Sequence, residues 1–152
     1  MFIFGFGKSQ LAHGIPGKWL IESPDYGKVG EFFRGSLAEG EIERFERDNF
    51  VLPEDYKSFL KIKNGFYSNS SGIYLYSLED VVPQSVNHEI MPLCKNMVAI
   101  GYDSGEYFYL IDYTKESCVV FAVEGGEIGF DEYREVGGFL SWADQGFSPF
   151  VD

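Results

Sequence analysis

The polar and apolar positions of Leu52 to Gly65, LPEDYKSFLKIKNG, specify one helix with a start, an inner face and an end. Pro53 suits the first helical position, where its fixed φ helps and its missing N–H lacks a partner anyway. Leu52, Tyr56, Phe59 and Leu60 recur at i, i+4, i+7 and i+8, which is one apolar stripe for a core. Glu54 and Asp55 fall where the helix dipole favours negative charge, and Lys61 and Lys63 where it favours positive. Gly65 can take the left-handed conformation that closes a helix, with Phe66 folding back on Leu60 or its neighbours. A preceding helix is predicted from Leu37 to about Asp48. Ser36 and Glu39 form its capping box, and Ala38, Ile42 and Phe45 its inner face. Glu43 and Arg47 make an i,i+4 pair, and Gly40 weakens the helix by roughly 1 kcal/mol relative to alanine.

The second half changes period. Gly72 to Tyr76, Met97 to Tyr102, Tyr107 to Asp112 and Cys118 to Val123 are rich in aromatic and β-branched residues and bounded by turn formers, so each reads as a strand. The links between the last three are short enough for hairpins, which makes them an antiparallel meander. A terminal helix from about Gly138 to Gln145 buries Phe139, Leu140 and Trp142 or Ala143 and stops at Gly146. Residues 1–35 read as strands broken by turns, at Phe2–Phe6, Trp19–Glu22 and Val29–Phe33. The fold predicted is a single α+β domain spanning 1–152, its antiparallel sheet packed against helices.

Size and composition agree with one core: 152 residues, 45% hydrophobic and 18% aromatic. Charge adds asymmetry. Residues 1–100 carry 13 acidic and 10 basic side chains, whereas 101–152 carry 11 acidic ones against Lys115 and Arg134, within a total of -12. Such a charge repels phosphates and anionic lipid and steers a basic protein inward, so no direct nucleic-acid or membrane contact is expected. Cys94 and Cys118 are expected to be reduced and buried. MFIFGF is too short an apolar run for an export signal or a membrane span, so a cytoplasmic location is expected.

Catalytic patterns fail on particular residues. Phe4 to Ser9 ends like a phosphate loop but has Phe2 where the first glycine belongs, and His88-Glu89 lacks its second histidine because Pro92 stands there. Ser104 has neither a nucleophile elbow nor a later histidine as its base. Carboxylate pairs are numerous, but 24 acidic residues make neighbours by chance. No catalytic residue, metal ligand or cofactor is therefore expected. Among the turns and strand ends of the acidic third, Asp103, Glu106, Glu124 and Glu127 are the candidates for steering a partner and Tyr107 for anchoring it. The competing reading puts the tyrosines in the core and leaves the acids merely solvating it.

Three segments together resemble the SUKH superfamily, the SMI/KNR-type domains: Ile42 to Gly65 with LPEDYKSFL and NG, Met97 to Asp112 as MVAIGYDSGEYFYLID, and Cys118 to Trp142 ending FLSW. The resemblance covers about two thirds of the chain and departs from the usual Gly-Gly at Gly65-Phe66. It implies an α+β domain that binds protein. Many bacterial members are immunity proteins that neutralise toxin domains, often nucleases, and a fungal branch acts in cell-wall regulation. The shared positions Leu52, Pro53, Tyr56, Phe59, Leu60, Gly65 and Trp142 are ones a fold needs, so no catalytic set carries over. The expectation is a non-enzymatic immunity protein, monomeric or weakly dimeric, that occludes a basic cognate toxin. The alternatives are a regulatory or scaffold domain and a small carbohydrate-binding or hydrolytic protein.

Overall fold

A computed structural model describes residues 37–68, 71–103, 106–130 and 132–151. The strands predicted before residue 36, the Ser36 half of the capping box, and Ser104 lie outside them. Among the described residues two helices come first, α1 (Glu41–Asp48) and α2 (Glu54–Leu60). The chain then makes β1 (Phe66–Tyr67), β2 (Ile73–Leu75), α3 (Leu78–Asn87), α4 (Ile90–Leu93), β3 (Met97–Asp103), β4 (Tyr107–Asp112) and β5 (Val119–Glu124). A 3-10 turn (Gly125–Glu127), β6 (Arg134–Gly138) and α5 (Phe139–Asp144) complete it. All six strands form one antiparallel sheet in chain order, a meander.

Several boundaries differ from the sequence expectation. Helix α1 begins only at Glu41, because Gly40 at φ 90° turns the chain left-handed just before it. Arg47 pairs with Asp48 at 3.8 Å rather than with Glu43. Pro53 is the N-cap of α2, one position earlier than expected, and the helix ends at Leu60, so Lys61 and Lys63 lie beyond it. Gly65 adopts positive φ, at 99°, and Phe66 opens β1 with its ring 4.4 Å from Lys63 Nζ and 6.4 Å from the Phe147 ring. Cys94 and Cys118 are free thiols and buried.

One face of the sheet carries the aromatic core. Tyr109 of β4 stacks on Trp142 of α5 at 5.0 Å, and Phe139 meets both Tyr56 and Phe59 of α2, at 5.6 and 5.5 Å. Phe147, just past α5, packs edge-on against Trp142 at 5.1 Å. This accounts for the apolar stripe of α2: Leu52, Tyr56, Phe59 and Leu60 are each no more than 2% exposed. Lys57, on the opposite side of the helix, bridges Glu46 at 3.3 Å and Glu54 at 3.0 Å, tying α2 to α1.

Helix α3 lies along the part of β3 that the three-residue strand β2 does not reach. The Asn64 side-chain oxygen accepts from Leu78 N at 2.7 Å, so the NG turn caps the start of α3. Two bonds then replace strand pairing: Ala99 N donates to Ser85 Oγ at 2.8 Å, and Tyr76 N donates to the Ile100 carbonyl at 2.9 Å. Ser85 is fully buried there, so its hydroxyl satisfies an amide that would otherwise cost about 1–3 kcal/mol.

Burial leaves a titration signature. The Cys118 thiol is pushed up to about 12 by burial and by Asp55, with the Tyr56 N–H opposing the shift. Burial, with Cys118 nearby, raises Tyr56 strongly, and burial likewise raises Tyr76 and Tyr109. Each group keeps its proton in the folded chain at a pH where the unfolded chain has released it, so the unfolded state binds fewer protons and stability falls as pH rises. The loss is expected to begin near the ordinary thiol value of 9.0 and to steepen above the ordinary tyrosine value of 10.0. Each group removes up to roughly 1.4 kcal/mol per pH unit. Urea midpoints measured from pH 8 to 11 check this, and a midpoint that stays flat over that range contradicts it.

Candidate protein-binding surface

The five candidate residues meet at one end of the sheet. Asp103 ends β3, Glu106 lies in the turn to β4, and Tyr107 opens β4 directly opposite Glu124, the last residue of β5. Glu127 closes the 3-10 turn that follows. Gly125 N donates to the Glu106 carbonyl at 2.8 Å, which fastens the β3–β4 turn to the end of β5. Glu106 and Glu124 are exposed, whereas Asp103, Tyr107 and Glu127 are half-buried.

Their environments separate these residues into different roles. One carboxylate oxygen of Asp103 accepts from the amides of Glu106 at 2.9 Å and Tyr107 at 3.1 Å, which fixes the turn. The other accepts from the Tyr109 hydroxyl at 2.9 Å, and that hydroxyl accepts in turn from Phe150 N at 2.8 Å. Asp103 therefore links a hairpin, a core tyrosine and the C-terminal tail. Burial is the main cause of the raised Tyr109 hydroxyl; the Phe150 amide opposes it and the Asp103 carboxylate adds to it. Tyr107 packs its ring edge-on against Phe150 at 5.3 Å. The exposed charge at this end is thus carried by the glutamates.

Two other acidic residues of the last third, Asp112 and Glu135, lie outside this cluster. Asp112 caps the β4–β5 turn at the opposite end of the sheet, accepting from Thr114 N at 2.9 Å and from its hydroxyl at 2.6 Å. Glu135 lies on β6, opposite Phe121. The tyrosines divide as well: Tyr109 is fully buried, while Tyr102 is 37% exposed. Strand parity determines the division, since Tyr107 and Tyr109 share the face under α5, and Tyr102 and Phe108 share the other. Exposed Tyr102 and half-buried Phe108, Tyr67 and Tyr74 are aromatics that the candidate set omits. Register identifies them, and register is only visible once β1 and β2 are paired.

A groove of about 490 Å³ lies between α1 and α3, lined by Glu41, Arg44, Phe45, Asp48 and Pro83 among others, and none of the five candidates contributes to it. Among the described residues no group of three or more His, Cys, Asp or Glu side chains could hold a metal ion. Among them, too, no helix is long and apolar enough to cross a membrane.

An antiparallel meander flanked by helices defines an α+β domain. The chain belongs to the SMI1 / KNR4 family (SUKH-1), whose pattern matches residues 36–141. No curated protein matches the chain. The matched span holds both helices of the LPEDYKSFL region and all six strands, and of the residues shared with the superfamily only Trp142 lies just outside it. All seven shared positions are buried.

Proposed function

We propose that the chain is a non-enzymatic immunity protein that binds a basic toxin domain, with a nuclease as the favoured class, and blocks its substrate groove with carboxylates where substrate phosphates belong. The observation that supports this is the clustering of Glu106, Glu124 and Glu127 at one end of the sheet, held by the Glu106–Gly125 bond. Membership of a family with many toxin-neutralising relatives supplies the class of partner. Carboxylates gathered at one end of the sheet steer a cationic surface in before contact. Cytoplasmic residence and a one-to-one complex belong to the same proposal.

Co-expression with a basic toxin domain, sought first among the neighbouring genes, tests it, scored by cell survival and by recovery of the complex. The triple variant Glu106→Gln, Glu124→Gln, Glu127→Gln is expected to slow association about tenfold or more at low salt and to flatten its salt dependence. Asp103 is excluded from this set because its carboxylate is committed to the fold. Survival that does not depend on this chain, with no complex recovered, overturns the proposal.

A further inference from the structure

The sheet face opposite Trp142 carries a row of rings across four strands. Tyr67 pairs with Tyr74, Tyr74 with Tyr102, and Tyr102 with Phe108, at centroid distances of 6.4, 5.2 and 6.4 Å. Tyr74 and Tyr102 are stacked, with 18° between their planes. Buried Tyr76 braces them at 5.9 and 5.8 Å, and His88 at the end of α3 closes the row against Phe108 at 4.8 Å. Cross-strand aromatic pairs stabilise a sheet by themselves. That role alone, however, leaves Tyr102 37% exposed in a place where a polar side chain would serve as well.

Charge indicates what the row receives. Residues 66–112, which supply every ring in it, contain six acidic side chains and one basic one, Lys95. One of the acids adjoins the row directly: Asp80 lies within electrostatic range of Tyr76. Ring faces attract cations, and a guanidinium stacks flat on them while its N–H groups remain free for carboxylates; an ammonium does this less well. Phosphates are repelled by the same field, and a neutral sugar gains nothing from it.

We propose that this row is the contact surface for an arginine-bearing segment of a basic protein partner, with a guanidinium seated over Tyr102 and Phe108. This deepens the capture of a basic toxin proposed above and rests on that reading. The test titrates the full chain with blocked nona-arginine and nona-lysine peptides at low salt, followed by calorimetry. The arginine peptide is expected to bind about three- to tenfold more tightly than the lysine peptide. Tyr102→Leu, which keeps the face apolar without a ring, should abolish that preference, and Tyr102→Phe should keep it. Urea midpoints of both variants confirm that the sheet is intact. The pair Glu106→Gln, Glu124→Gln should weaken both peptides alike. If the glutamate variant weakens both peptides but Tyr102→Leu leaves the preference unchanged, the aromatic row is rejected and acidic capture stands. If neither variant changes binding, both are rejected. Tyr102-dependent binding of a neutral oligosaccharide in place of the arginine peptide also overturns the proposal.

Discussion

Gly101→Ala is expected to destabilise the protein by about 3 kcal/mol or more, near the upper end of overpacking effects and a large share of a domain's total stability. A Cβ at this position would stand 2.2 Å from the Tyr74 carbonyl oxygen and 3.2 Å from the Leu75 Cα. Both are backbone atoms of β2, so no side-chain rotation relieves the overlap. Strand β2 has only three residues, and every one of them pairs with β3. Pushing it away opens the whole β2–β3 contact, which includes the Tyr74–Tyr102 stack. Gly126→Ala is the control, since a Cβ there meets nothing within 4 Å and the change should stay within about 0.5 kcal/mol. Urea denaturation of the two variants checks this, and equal midpoints would show that β2 does not press on Gly101.

Asp103→Ala should have the next largest effect, a loss of about 3 kcal/mol. It removes the acceptor for two turn amides and for the hydroxyl of a fully buried tyrosine. Asp103→Asn should fall between alanine and the native residue. Its amide oxygen can still accept from the turn, but its N–H₂ faces a hydroxyl that already accepts from Phe150. Combining Asp103→Ala with Tyr109→Phe should recover roughly 1 kcal/mol or more relative to additivity, because the two side chains share one bond. Strict additivity in that cycle would mean the carboxylate and the hydroxyl act separately. The C-terminal tail reports the same event through faster amide exchange at Phe150.

The elements legible in the sequence are those whose pattern is local. LPEDYKSFL announces α2, FLSW announces α5, and the three hairpin-linked strands lie within a residue or two of their expected positions. Helix α3 was not legible because Pro83 stands in its middle, where a proline ordinarily ends a helix. The fold tolerates it because α3 is anchored by contacts remote in sequence: Asn64 at its start and Ser85 against β3. Strands β1 and β6 were missed for a related reason, since two residues, or a REVGG with two glycines, carry no alternation to detect.

The candidate surface was legible in its charge and not in its rings. Turn positions place Asp103, Glu106, Glu124 and Glu127 at chain reversals, and reversals that share a sheet end become neighbours. Tyr107 and Tyr102 look equivalent in YDSGEYFYL, and only strand parity separates the one that meets Phe150 from the one that faces outward. The distinction between Asp103 and the glutamates likewise depends on a bond to Tyr109, six residues away, that no local pattern encodes.

The Ser85 hydroxyl on Ala99 has an effect beyond the single amide it satisfies. MVAI in β3 is an uncharged, β-prone segment of the sort that recruits further chains when its edge is open. A helix that supplies a hydroxyl to Ala99 N, where a longer β2 would otherwise pair, removes that amide from any incoming chain. The short β2 can therefore stop where it does without leaving that amide open to a new strand.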